Sequence, residues 1–203
     1  MSKEIDIFDI GKMVAKSMET WKSEDDPDTL KVVDRLKQLN KLGFVTTQSQ
    51  VGGIEKGKSI FNGKSYYYKK RAFIQAITTP KIYEKLKQKI SFNTELIMQA
   101  RPSNKSILSN KEKDLLFDKT QRIPVTLQKI NNKFEAPTNL LSFTDFYSDN
   151  WNNLYQMLDK KILSDKNIQK NIYENTILVQ IFDPVWNRSS YLFDSILKVI
   201  KSK

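Results

Sequence analysis

The chain has 203 residues, 39% of them apolar and 28% charged, which is enough for one well-buried core. It contains neither cysteine nor histidine, which excludes disulfides, thiolate and imidazole catalysis, and zinc sites built on sulfur or imidazole ligands. Its 34 basic and 23 acidic residues leave a formal charge of +11, which suits nonspecific attraction of nucleic acid or anionic ligands and equally suits a solvated lysine-rich surface.

No apolar run approaches the roughly 20 residues that span a bilayer, and acids stand among the first ten residues where a secretion signal carries basic ones. A soluble intracellular protein, cytoplasmic or virion-associated, is expected. The arginines are Arg35, Arg71, Arg101, Arg122 and Arg188, and the remaining cations are lysines. Lysine is a hydrated point charge suited to diffuse attraction, whereas arginine supplies planar, bidentate recognition of phosphate.

Val14, Met18 and Trp21 fall at helical spacing within residues 8–22, predicting a first helix. The acids Glu24, Asp25 and Asp26 precede Pro27 and suit the start of a second helix, which presents Leu30, Val33 and Leu36 and stops at Gly43. Phe44, Val45 and Thr46 begin a strand. Residues 51–65 hold Gly52, Gly53, Gly57 and Gly63 among lysines with little periodicity and read as a mobile loop or a loose hairpin. Tyr66 to Thr78 is an aromatic and β-branched run, a strand that ends where Thr79 and Pro80 open a helix bearing Ile82, Tyr83, Leu86 and Ile90. A strand over 94–100 follows, and this strand, helix and strand would form a parallel pair with a right-handed crossover if both strands share a sheet.

Further along, Ile123 to Ile130 alternates as a strand, Trp151 to Ile162 reads as a helix, and residues 166–173 as a weaker helical turn. Thr176 to Phe182 is the clearest buried strand, and Ser189 to Ile200 closes the chain with an amphipathic helix. The expected fold is a single α/β domain with a mixed central sheet of four to six strands and helices packed on it.

Ligands of open α/β sheets bind beyond the carboxyl ends of strands. The residues there are Thr46, Thr47, Ser49 and Gln50, then Thr79, Arg101, and finally Asp183, Trp186 and Arg188. Hydroxyls, amides, a helix start, two arginines and an indole together suit an anionic small molecule, a nucleotide above all. The same residues also suit turns, caps and strand corners. A second constellation, Lys56, Lys58, Lys64, Lys69, Lys70 and Arg71 interleaved with Phe61, Tyr66, Tyr67 and Tyr68, combines the phosphate attraction and base stacking that hold single-stranded nucleic acid. No Walker loop, dinucleotide fingerprint or nucleophile elbow occurs, and no motif calls for a cofactor or a metal.

The string Leu39-Asn40-x-x-Gly43-Phe44-Val45-Thr46-Thr47-x-Ser49-Gln50 resembles a segment of an uncharacterised family of viral and bacterial proteins, in which it follows a tryptophan-containing helix that Trp21 would match. The resemblance covers about the first quarter of the chain and implies no activity. Val51 stands where such segments carry proline.

Three functions follow as expectations. The first is non-enzymatic binding, and sequestration, of an anionic small molecule. The second is a structural or nucleic-acid-associated role for the lysine-rich surface. The third is a carboxylate-dependent transferase or hydrolase with Asp183 as base.

Overall fold

The structure is a computed structural model that describes residues 5–20, 30–58, 63–103, 123–141, 154, 165–188 and 190–202. The acidic break at Glu24 to Asp26, Trp21, Phe61, Arg122 and most of the helix expected over 151–162 lie outside the described residues.

Helix α1 (Ile7–Ser17) is capped by Asp6, whose carboxylate accepts from the Asp9 amide at 2.9 Å, and buries Ile7, Ile10, Gly11 and Val14 at the spacing of one helical face. A short 3₁₀ turn, Met18–Thr20, continues it. Helix α2 (Val33–Lys41) buries Leu36, Leu39 and Asn40 and ends at Gly43, whose φ of +82° is the left-handed conformation expected of a C-terminal glycine. The two helices cross very closely. A Cβ on Gly11 would stand 2.0 Å from the Asn40 carbonyl oxygen, so only a hydrogen fits there.

Among the described residues, the strands form two four-stranded sheets. The first has the order β1 (Phe44–Gln50), β4 (Phe73–Thr78), β8 (Ile177–Phe182), β5 (Ile97–Pro102); the second has β2 (Gly53–Lys58), β3 (Ser65–Lys70), β6 (Ile123–Ile130), β7 (Lys133–Leu141). Every neighbouring pair is antiparallel. The α/β class and the four-stranded sheet with packed helices agree with the sequence, but the pairing corrects one expectation. Strands β4 and β5, joined by helix α3 (Pro80–Asn93), do run parallel, yet β8 lies between them and pairs with both. The strand, helix and strand unit is therefore split by a strand about 80 residues away, a pairing that no local pattern encodes.

The segment 51–65 is the second correction. Residues 53–58 form β2, paired along its whole length with β3, so the alternative of a hairpin holds and the open loop does not. Its register continues that of the first sheet: Gln50 pairs with Phe73 and Gly53 with Lys70, at the same offset. The two ladders thus follow one another in a single register, 44–50 with 73–78 in the first sheet and 53–58 with 65–70 in the second. A bulge between Thr46 and Gln48 interrupts the first ladder. Strand β7, which is not among the expected elements, returns from β6 through Asn131 and Asn132, both with positive φ, in a two-residue turn of the hairpin type.

Helix α4 (Lys166–Asn175) leads into β8, and helix α5 (Tyr191–Lys201) ends the fold. The main core joins Ile10, Leu36, Phe44, Ile77, Leu86 and Phe193, drawn from α1, α2, β1, β4, α3 and α5. Full burial of each such side chain stabilises the fold by about 1.5–3 kcal/mol. A smaller cluster of Phe73, Val125 and Phe182 bridges the two sheets. No described helix is long and apolar enough to cross a membrane.

Candidate functional site

The antiparallel order decides where the strand-end residues go. Strands β1 and β8 finish at one rim of the first sheet, which carries Gln50, Asp183, Trp186 and Arg188. Strands β4 and β5 finish at the other, so Thr79 and Arg101 stand a strand's length away, on the order of 20 Å. The nine candidate residues do not share one concave surface.

Those in the N-terminal string are engaged in the fold. Asn40 donates from Nδ2 to Leu36 O and to Thr46 Oγ1, both at 2.8 Å, while its Oδ1 accepts from the Thr46 amide at 2.9 Å. Thr47 is buried at the bulge, and Ser49 is half-buried opposite Ile74. Gln50 donates to Arg71 O at 2.9 Å and Val125 O at 3.1 Å and accepts from Thr126 Oγ1 at 3.1 Å, tying the two sheets together. Thr79 caps α3, accepting from the Ile82 amide at 3.2 Å, and Arg101 donates to Ala100 O at 2.9 Å. Asn40, which bonds most of this corner, is not among the candidate residues. Its place four residues after Leu36 on the buried face of α2 is the signal that points to it.

At the rim where β1 and β8 finish, the loop 183–188 is fixed from several sides. Asp183 is fully buried; its amide donates to Ala72 O and its Oδ1 accepts from the Val185 amide, each at 2.9 Å. Arg188 grips both carboxylate oxygens at 2.7 and 2.5 Å, reaches Glu95 at 2.6 Å and lies 4.0 Å over the Tyr191 ring. The hydrogen bond to Asp183 raises the Arg188 pKa above its ordinary value, with burial opposing and Glu95 assisting. Asn187, at φ +71°, donates to Lys70 O at 3.3 Å, and a Cβ on Gly52 would come within 2.5 Å of Arg188 O. An Arg188→Ala change would leave a buried carboxylate without its cation. Because the guanidinium is itself partly exposed, the expected loss is about 2–3 kcal/mol in urea unfolding, and Arg188→Lys should recover less than half because it cannot bind both oxygens in a plane.

This loop delivers Trp186 to the second sheet. The Arg71 guanidinium lies 4.1 Å from the indole centroid, and Lys69 Nζ is 5.7 Å from that ring and 6.0 Å from Phe134. Lys129 Nζ is 5.8 Å from Tyr67. The register pairs Ile54 with Lys69, Lys56 with Tyr67, Lys58 with Ser65 and Lys69 with Leu127, so these side chains share one face. Tyr67 is 50% exposed there. Arg71 also donates to Pro124 O at 3.2 Å; burial lowers its pKa while Asp183 opposes the shift, and a guanidinium so placed stays charged.

Of the basic constellation read from sequence, Lys56, Lys58 and Lys69 therefore lie on this face and Arg71 joins it through Trp186. Lys64 precedes β3, while Lys70 is on the reverse face in an ion pair with Glu55. Tyr66 and Tyr68 alternate to that reverse face with it. Lys129 and Phe134 join the face from outside that constellation, and the Asn131-Asn132 turn signal between them is the sequence feature that brings them together.

Residues 11–203 match the family described as Domain of unknown function (DUF6919). The chain belongs to that family. The match begins within α1 and takes in both sheets, so the basic-aromatic face lies inside the DUF6919 region. No curated protein matches the chain.

Proposed function

We propose that this DUF6919 protein binds single-stranded nucleic acid across the open face of its second sheet. One observation carries the reading: Tyr67, Phe134 and Trp186 are interleaved with Lys69, Arg71 and Lys129 on a single face, with Lys56 and Lys58 beside them. Aromatic rings on one face offer stacking platforms to unstacked bases, and the cations beside them neutralise the phosphates that link those bases. A duplex keeps its bases stacked internally and would meet this face with phosphates alone. The lysine-rich net charge adds long-range, sequence-independent attraction.

An anionic small molecule at the strand ends has less support, because the antiparallel order separates Thr79 and Arg101 from the other candidates and Gln50 is spent on sheet junction bonds. Asp183, the carboxylate considered as a base, is enclosed by Arg188 and the Val185 amide.

Fluorescence anisotropy with labelled oligothymidylate and with a duplex of equal length, over a series of salt concentrations, tests the proposal. Binding to the single strand should weaken with a logarithmic slope of about −2 to −3.5, as three to five neutralised phosphates require, and exceed duplex binding. Equal affinity for duplex, or no binding at low salt, would overturn it.

A further inference from the structure

Away from both sheet rims, α3 and α5 enclose a cleft of about 410 Å³, within the size range of small-molecule sites. Its wall on α5 is a stripe of Tyr191, Ser195, Lys198 and Ser202, spaced at four, three and four residues along one helical face. The opposite side supplies Lys89 and Thr94. Among the described residues, no acidic side chain lines it.

The charge of this cleft is arranged. The carbonyls that end a helix carry partial negative charge and would repel an anion. Here Lys85 occupies two of them, donating to Ile200 O at 3.0 Å and to Ser202 O. Lys89 is held in place by its bond to Ser202 Oγ at 2.6 Å, which in turn donates to Val199 O at 2.7 Å, and an ammonium so held keeps two N–H donors for a ligand. Among the described residues, neither Lys198 nor Ser195 makes a side-chain hydrogen bond within the fold.

We propose that this cleft is a second binding site, for a phosphate monoester or similarly compact dianion, with Lys89 and Lys198 meeting the charge and Ser195 and Tyr191 donating to its oxygens. The site is independent of the nucleic-acid face. The test uses inorganic phosphate and pyrophosphate as probes, followed by amide NMR of the full chain. Saturable shifts at Ser195, Lys198 and Thr94 are expected, with Lys198→Ala, an exposed position that leaves packing intact, weakening binding about tenfold. Lys129→Ala on the second sheet should leave phosphate binding unchanged. Absence of saturable shifts up to about 10 mM phosphate, indifference to Lys198→Ala, or loss of binding in Lys129→Ala would each overturn the assignment.

Discussion

Gly11→Val should destabilise the protein on the order of 4 kcal/mol, and Gly11→Ala by about 2 kcal/mol. Two effects oppose each other at this position. Alanine is favoured over glycine in a helix interior by up to about 1 kcal/mol, which by itself would make the substitution stabilising. Against this, the new Cβ would lie 2.0 Å from Asn40 O and 2.9 Å from its carbonyl carbon, both backbone atoms that no side-chain rotation can move. Helix α1 must then back away from α2, and Asn40 loses the geometry that bonds it to Leu36 and Thr46. Sterics therefore outweigh propensity, and the added γ-carbons of valine widen the gap. Urea unfolding monitored by circular dichroism gives the comparison, with Gly53→Ala as control because a Cβ there meets nothing within 4 Å. A Gly11→Ala variant as stable as the parent would show that the two helices do not cross this closely.

The combined change Tyr67→Ala, Phe134→Ala and Trp186→Ala should reduce affinity for single-stranded nucleic acid at least about 100-fold, since stacking of one base on an aromatic ring contributes about 1–3 kcal/mol. Residual binding should persist and keep its steep salt dependence, because Lys56, Lys58, Lys69 and Lys129 stay in place. Replacing those four lysines by alanine predicts the complementary signature, a salt slope shallower by about 0.7 for each phosphate that is no longer neutralised. The two variants thus separate stacking from charge in one pair of titrations. Unfolding curves must accompany them, since Trp186 also supports Arg71. If the aromatic variant binds within about threefold of the parent, the face is not a stacking platform.

The helices and central strands are legible in the sequence because periodicity and caps agree with burial: Thr79 and Pro80 open α3, and the apolar run of β8 is buried almost throughout. Strand β2 is obscured because its exposed positions are Ile54, Lys56 and Lys58 and the rest include two glycines, a composition that resembles a loop. In β7 the obstacle is Pro137, which is tolerated because β7 is an edge strand among the described residues. Pairing order is beyond the reach of local patterns, since placing β8 between β4 and β5 depends on residues far apart in the chain. That order also decides the site. Polar residues after each strand have the chemistry of ligand groups, but the Thr46 hydroxyl is taken up by the buried Asn40 side chain, and Gln50 and Thr79 satisfy buried or terminal backbone groups instead. Lys56, Lys58 and Lys69 share one face while Lys70 turns to the other, and Trp186 joins these three rather than the strand-end residues expected as its neighbours.

The shared register of the β1–β4 and β2–β3 ladders makes the two sheets one mechanical object. Two residues on each strand, 51–52 and 71–72, carry the chain between the two ladders, and Gln50 bonds Arg71 O and Val125 O across this junction, so separating the sheets would break those bonds. Hydrogen exchange should therefore find the amides of β3 and β4 opening as a single cooperative unit, and an oligonucleotide seated on the second sheet should slow exchange in the first. Occupancy of the second sheet would be felt in the first without any rearrangement of either sheet.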